Sequence, residues 1–247
     1  MTATQLPTLT ALWSHLPGRT RGWMAFHIVG LISVGLWLDA RLGWLGQHAA
    51  TVWALGVLAW CFWLGRRVER QALVLATVLS AIGEVFLSLV WGVYDYQFHN
   101  VPLFVPPGHA LLMTLGILLA RQLGRFSDMA VITVTAAAFF WAIHAGVADL
   151  DRFGVALFCL YCACLWFGLA RPLYATMFVL ALIMELYGTA LGNWVWAPAA
   201  PWVNLSAANP PFSAGAFYCA LDLLVLGILH RTHPRPAKLE VGVAAKN

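Results

Sequence analysis

The sequence predicts an all-α integral membrane protein with about eight transmembrane helices. They are expected as two parallel four-helix repeats, with a partly re-entrant segment before the fourth helix. Three observations lead there. Of 247 residues, 62% are hydrophobic and only 10% are charged, whereas soluble domains carry about 45–50% apolar and about 25% charged residues. The charges sit in short blocks, and most of the apolar runs between them approach the roughly 20 residues that cross about 30 Å of hydrocarbon. The basic residues also fall almost entirely on alternate connections.

The predicted helices are 23–38, 49–65, 72–92, 107–120, 129–147, 153–170, 172–194 and 212–230. They divide the chain into an N-terminal segment 1–22, a first repeat 23–125, a second repeat 126–231 and a tail 232–247. The first run follows Arg19 and Arg21 and has no small-residue cleavage site, so it is not expected to be a signal peptide. One side collects Arg19, Arg21, Arg66, Arg67, Arg70, Arg121, Arg125, Arg171, Arg231, Arg235, Lys238 and Lys246. The other has Arg41 and Arg152. The bias predicts a multi-pass protein of the plasma membrane with both termini cytoplasmic. It also accounts for the net charge of +4, so no nucleic-acid partner is expected. The expected partners are membrane lipid or a lipophilic substrate, with a second copy of the chain as a further candidate.

Five cysteines fall inside predicted helices, in an odd number and without extracellular spacing, so no disulfide framework is expected. Cys159 and Cys162 lie one helical turn apart, a spacing open to a metal, but packing is the expected role.

The internal repeat rests on paired motifs. Glu84 is followed by Ser88, Gly92, Tyr94 and Tyr96; Glu185 is followed by Thr189, Gly192, Trp194 and Trp196. Asp39-Ala-Arg-Leu-Gly43 matches Asp151-Arg-Phe-Gly154, and Leu115-Gly-Ile-Leu118 matches Leu226-Gly-Ile-Leu229. Four helices per half gives both halves the same orientation, with a pseudo-two-fold axis along the membrane normal.

Acidic groups within spans normally face a bundle interior or a cavity. Glu84 and Glu185 sit toward the outer ends of their helices, with Ser88 and Thr189 on the same faces. Asp222 lies roughly 15 Å along the last helix, near mid-membrane. A protonated carboxyl in such a place can donate to substrate. After Pro106 only a helix of roughly 21 Å remains before Arg121. The stretch from His99 to Pro107 is therefore expected to dip into the membrane, supported by protein. His109 then falls in the first helical turn, where the dipole favours a neutral imidazole able to accept a proton.

The expected site is an outward-facing pocket. Glu84, Glu185, Asp222 and His109 are its catalytic candidates. Tyr94, Asp95, Tyr96, His99, Asn100, His144, Tyr187, Asn193, Trp194 and Asn209 are its substrate-binding candidates. No cofactor is expected; a metal held by Glu84, His99 and His109 is the alternative, although no HExxH-type spacing is present. Trp91, Trp194, Trp196 and Trp202 are expected in an interfacial aromatic belt.

These residues suit an integral-membrane enzyme of lyase or isomerase type. It would perform acid–base hydration, isomerisation or cyclisation of a terpenoid, carotenoid or other lipid. The alternatives are a small-solute or proton-coupled transporter, and a metal- or haem-binding protein using His27, His109 and His144. The Glu84…Gly92-x-Tyr94-x-Tyr96 pattern resembles one in membrane carotenoid hydratases, which implies hydration chemistry.

Overall fold

The computed structural model describes residues 12–168 and 170–232. Among them are eight helical runs: α1 (Gly18–Leu42), α2 (Trp44–Leu64), α3 (Arg67–Trp91), α4 (Val105–Gln122), α5 (Gly124–Val147), α6 (Arg152–Phe167), α7 (Arg171–Leu191) and α8 (Gly215–Thr232). Six of these, all except α4 and α6, are long and apolar enough to cross a membrane. The chain is a multi-pass helical membrane protein.

The two exceptions have different reasons. The 16 residues of α6 reach about 24 Å, short of the hydrocarbon thickness. By contrast α4 is enclosed by protein, with every residue from Ala110 to Leu118 buried, as expected of a helix that is apolar on all sides. Pro106 and Pro107 occupy its first turn, where a missing N–H costs no hydrogen bond. The lipid-facing extreme is α5, which exposes Met129, Ile132, Phe139, Phe140, Ile143 and Val147.

Contacts fix the two ends of the bundle. At one end His15 Nε2 bonds the Leu64 carbonyl, Trp13 N–H donates to the buried Glu69, and Arg121 donates to the Leu12 carbonyl. Arg66, Arg67 and Arg70, at the start of α3 beside Glu69, stand at this end, as do Arg121 and the neighbouring Arg21. Arg235, Lys238 and Lys246, with the tail from 233 on and residues 1–11, lie outside the described residues.

At the opposite end two three-residue strands, β1 (Tyr94–Tyr96) and β2 (Trp194–Trp196), pair antiparallel, with Tyr94 opposite Trp196 and Tyr96 opposite Trp194. A second small ladder joins β3 (Ala199–Ala200) to β4 (Leu205–Ser206). Each of β1 and β2 follows a glycine in the left-handed region, Gly92 at φ 73° and Gly192 at φ 83°, where any side chain is disfavoured. The glycines end α3 and α7 and turn the chain back over the bundle.

The routes to these turns differ by one residue. Gly92 lies eight residues beyond Glu84 and Gly192 seven beyond Glu185. In α3 the segment Val85–Trp91 is π-helical, whereas α7 stays α-helical to Leu191. A π-bulge is how a helix accommodates an added residue. It absorbs the extra position, so both strands arrive in register.

Candidate active site

Strand alternation decides which side chains enter the bundle. Tyr94, Tyr96, Trp194 and Trp196 are buried on the inner face, while Asp95 and Val195 point out. The two inward pairs close over two carboxyls.

Glu84, buried on α3, accepts hydrogen bonds at Oε2 from Tyr94 Oη (2.7 Å) and Tyr96 Oη (2.6 Å). Its Oε1 lies 3.3 Å from His109 Nε2. Glu185, buried on α7, accepts at Oε2 from Trp194 Nε1 (2.8 Å) and Trp196 Nε1 (3.1 Å). Its Oε1 lies 3.0 Å from Tyr218 Oη. The arrangements are parallel: one oxygen is saturated by two strand side chains, the other faces a single ring from α4 or α8. Burial and the neighbouring Glu84 carboxyl push the phenols of Tyr94 and Tyr96 well above their ordinary values, which keeps both as donors.

His109 Nδ1 lies 3.0 Å from the Val105 carbonyl. A carbonyl only accepts, so Nδ1 carries hydrogen. Its Nε2 then faces Glu84 Oε1, where the two atoms are placed to share a proton. On Glu185 the indole N–H groups donate only, so any proton must sit on Oε1, facing Tyr218.

Two cavities meet at these groups. One of about 60 Å³ lies among Ile28, Leu31, Ile32, Leu36, Phe104, Leu112 and Met184. A larger one of about 420 Å³ lies between α3 and α8, walled by Leu79, Ile82, Phe86, Leu87, Phe217, Leu221 and Leu224. Both are lined by Glu84, Tyr94, His109, Glu185, Trp196 and Tyr218. Among the described residues no lysine or arginine lines either cavity.

The remaining expected site residues divide by position. Asn193 is buried and donates to Asp39 Oδ2 (2.7 Å) and the Leu36 carbonyl, tying the turn after α7 to α1. Tyr187 donates to the Ser33 carbonyl, within the π-turn Leu31–Gly35 of α1. Asn209 Oδ1 accepts from Trp196 N–H and steadies β2. These three support the site without lining its cavities. Asp222 is fully buried on α8, one turn beyond Tyr218, with neither oxygen hydrogen-bonded and outside both cavity walls.

Others lie elsewhere. The His99 side chain is 84% exposed and pairs with Asp95 on the outer surface, because its turn at φ 54° leads it away from the bundle. The proposed Glu84, His99 and His109 metal set is therefore not assembled. No group of three or more metal-ligating side chains is found among the described residues. Asn100 bonds Gln47 on α2, and His144 is exposed beside Trp141. Ser88 and Thr189 do not reach the carboxyls; Thr189 bonds back to the Glu185 carbonyl and Ser88 Oγ has no partner. Trp194 and Trp196 are carboxylate ligands rather than belt residues.

Sequence reasoning missed Tyr218, a single tyrosine in an apolar helix with no pattern to mark it. It also missed Asp39 and Asp151 as buried acids. Asp151 accepts from the backbone N–H groups of Gly154, Ala208 and Phe212, anchoring the segment that leads into α8. Their signal was the shared Asp-x(2–3)-Gly pattern, which reads equally well as a turn.

Fold and site together define a multi-pass helical membrane protein with several buried acids, Asp39, Glu69, Glu84, Asp151, Glu185 and Asp222. Compared with protein-family models, curated proteins and solved structures, the chain matches none.

Proposed function

We propose that the chain is an integral-membrane enzyme that adds a proton to a double bond of an uncharged lipophilic substrate, such as a terpenoid or carotenoid, and completes a hydration or isomerisation. The observation that carries this reading is that two buried carboxyls with contrasting partners, Glu84 beside His109 and Glu185 beside Tyr218, border the same apolar cavities. Paired titratable groups in contrasting surroundings are the arrangement that separates an acid from a base.

In this reading the proton held between Glu84 and His109 moves to one carbon of the double bond, whose π electrons form the new C–H bond. The other carbon becomes cationic, flanked by the faces of Tyr94, Trp194 and Trp196, which favour positive charge. For hydration, a water oxygen supplies the pair for a C–O bond and its proton passes to Glu185 Oε1. For isomerisation, Glu185 instead takes a proton from the neighbouring carbon. The small cavity has room for a few waters. The larger one, between two membrane helices, suits a hydrocarbon arriving sideways from the bilayer.

The same reading treats residues 23–125 and 126–231 as related halves. The matched Glu84 and Glu185 sites, the glycine turns and the β1–β2 pairing support it. It also places the arginine-rich end and both termini in the cytoplasm. Proton-coupled transport is the second reading, supported by paired carboxyls where two such halves would meet.

The test incubates purified protein in detergent with a panel of acyclic isoprenoid hydrocarbons in D₂O. Carbon-bound deuterium in the extracted product, lost in both Glu84→Gln and Glu185→Gln, is the expected result. Full turnover in both variants, with folding retained, would remove the acid–base proposal. Solute uptake by sealed proteoliposomes without any product in detergent would select transport.

A further inference from the structure

At the arginine-rich end, α1 and α4 leave between them a cavity of about 360 Å³, lined by Gly18, Arg21, Gly22, Ala25, Leu118, Leu119, Arg121 and Gln122. It is remote from the carboxyl pair and shares no lining residue with either cavity there.

Its chemistry is two-part. On α1, Gly18, Gly22 and Ala25 share one face by helical spacing, and with so little side chain they form a trough. A Cβ added at Gly22 would meet nothing within 4 Å. The opposite wall is the apolar Leu118 and Leu119 of α4. At the mouth stand two half-buried arginines. Arg21 folds over the start of its own helix, its Nη2 4.0 Å from where a Cβ on Gly18 would lie. Arg121 uses Nη1 to hold the Leu12 carbonyl at 2.7 Å. The two guanidiniums repel each other electrostatically. Among the described residues neither is ion-paired with a carboxylate. The start of α1, with no side-chain cap among the described residues, adds a further positive end.

We infer that Arg21 and Arg121 bind the phosphate of an anionic lipid headgroup, with the adjoining acyl chain lying in the Gly18–Gly22–Ala25 trough. Arginine pairs at the membrane face suit a phosphate oxyanion, and basic pockets between membrane helices take anionic headgroups. The apolar trough distinguishes a lipid from a free phosphate, which would use the arginines alone.

Native mass spectrometry of the full chain in mixed phosphatidylglycerol–phosphatidylcholine nanodiscs tests this directly. The wild type is expected to retain phosphatidylglycerol preferentially. Arg21→Gln with Arg121→Gln should weaken that retention roughly tenfold or more. Arg19→Gln with Arg125→Gln removes the same charge from exposed positions nearby and should leave it unchanged. Gly22→Leu, which fills the trough without altering charge, should also abolish it. No preference in the wild type, or equal loss in the exposed-arginine control, would overturn the site. Inorganic phosphate that stabilises wild type and Gly22→Leu alike, at a concentration that also displaces phosphatidylglycerol, would replace the lipid with a soluble phosphate. A double variant that fails to fold leaves Gly22→Leu as the deciding measurement.

Discussion

The imidazole of His109 and the phenol ring of Tyr218 stack face to face, centroids 4.7 Å apart and planes within 1°. Each ring also faces one carboxyl, His109 toward Glu84 and Tyr218 toward Glu185. The stack therefore joins the two acids through aromatic groups that both carry exchangeable protons.

His109→Phe should retain the stack and lose the proton. Turnover is expected to fall by about 10²-fold or more, the usual contribution of a general acid, and the melting temperature should drop as well, because the buried Glu84 Oε1 loses its partner. Tyr218→Phe keeps the ring and removes only the hydroxyl; its loss should be smaller. Single-turnover product formation for the two variants, measured beside their melting temperatures, separates chemistry from folding.

Replacing both Tyr94 and Tyr96 by Phe leaves Glu84 Oε2 buried without its phenolic donors. Each lost partner should cost about 1–3 kcal/mol. The double variant is expected to melt well below wild type in a detergent thermal-shift assay. Glu84→Gln in that background should restore part of the difference, because an amide is less costly to bury than a carboxylate.

The eight helices were legible because apolar run length and charge blocks survive any tertiary detail. Glu84 and Glu185 were legible as a pair through matched spacing. Their partners were only partly so. Period-two alternation after Gly92 and Gly192 can bring Tyr94, Tyr96, Trp194 and Trp196 to one face, but nothing in the letters says that this face turns back over α3 and α7. For that reason Trp196 read as a belt residue alone, while Trp194 read both as belt and as a lining residue of the pocket. His99 was misplaced for the opposite reason: its neighbours are apolar enough to suggest burial, yet a positive-φ turn sends it outward. Tyr218 has no local signal and is defined only when α8 packs against α3, α6 and α7 and its ring meets His109.

Gly188 is a sharper probe of the second site. A Cβ there would fall 2.1 Å from the Trp194 ring, inside contact distance. Gly188→Ala should push the indole off Glu185 while a helix-favouring residue replaces glycine. The expected result is a folded protein with severely reduced turnover and altered tryptophan fluorescence. Unchanged emission and full activity would show that Trp194 does not need its present seat.

Asp151 tests the frame instead. Asp151→Ala strips an acceptor from Gly154, Ala208 and Phe212 together, at an expected cost of about 3 kcal/mol or more. Hydrogen exchange should rise first in the segment before α8, ahead of the bundle.

The choice of tyrosine on one strand and tryptophan on the other has a consequence for traffic. Phenols can both take and give a proton, so in the proposed reaction Tyr94 and Tyr96 are the strand groups able to return one to Glu84. Indoles only give, so Trp194 and Trp196 insulate Glu185. On the proposed mechanism, replenishment from the strand side is thus confined to one acid, and the other discharges only toward Tyr218 or the bound molecule.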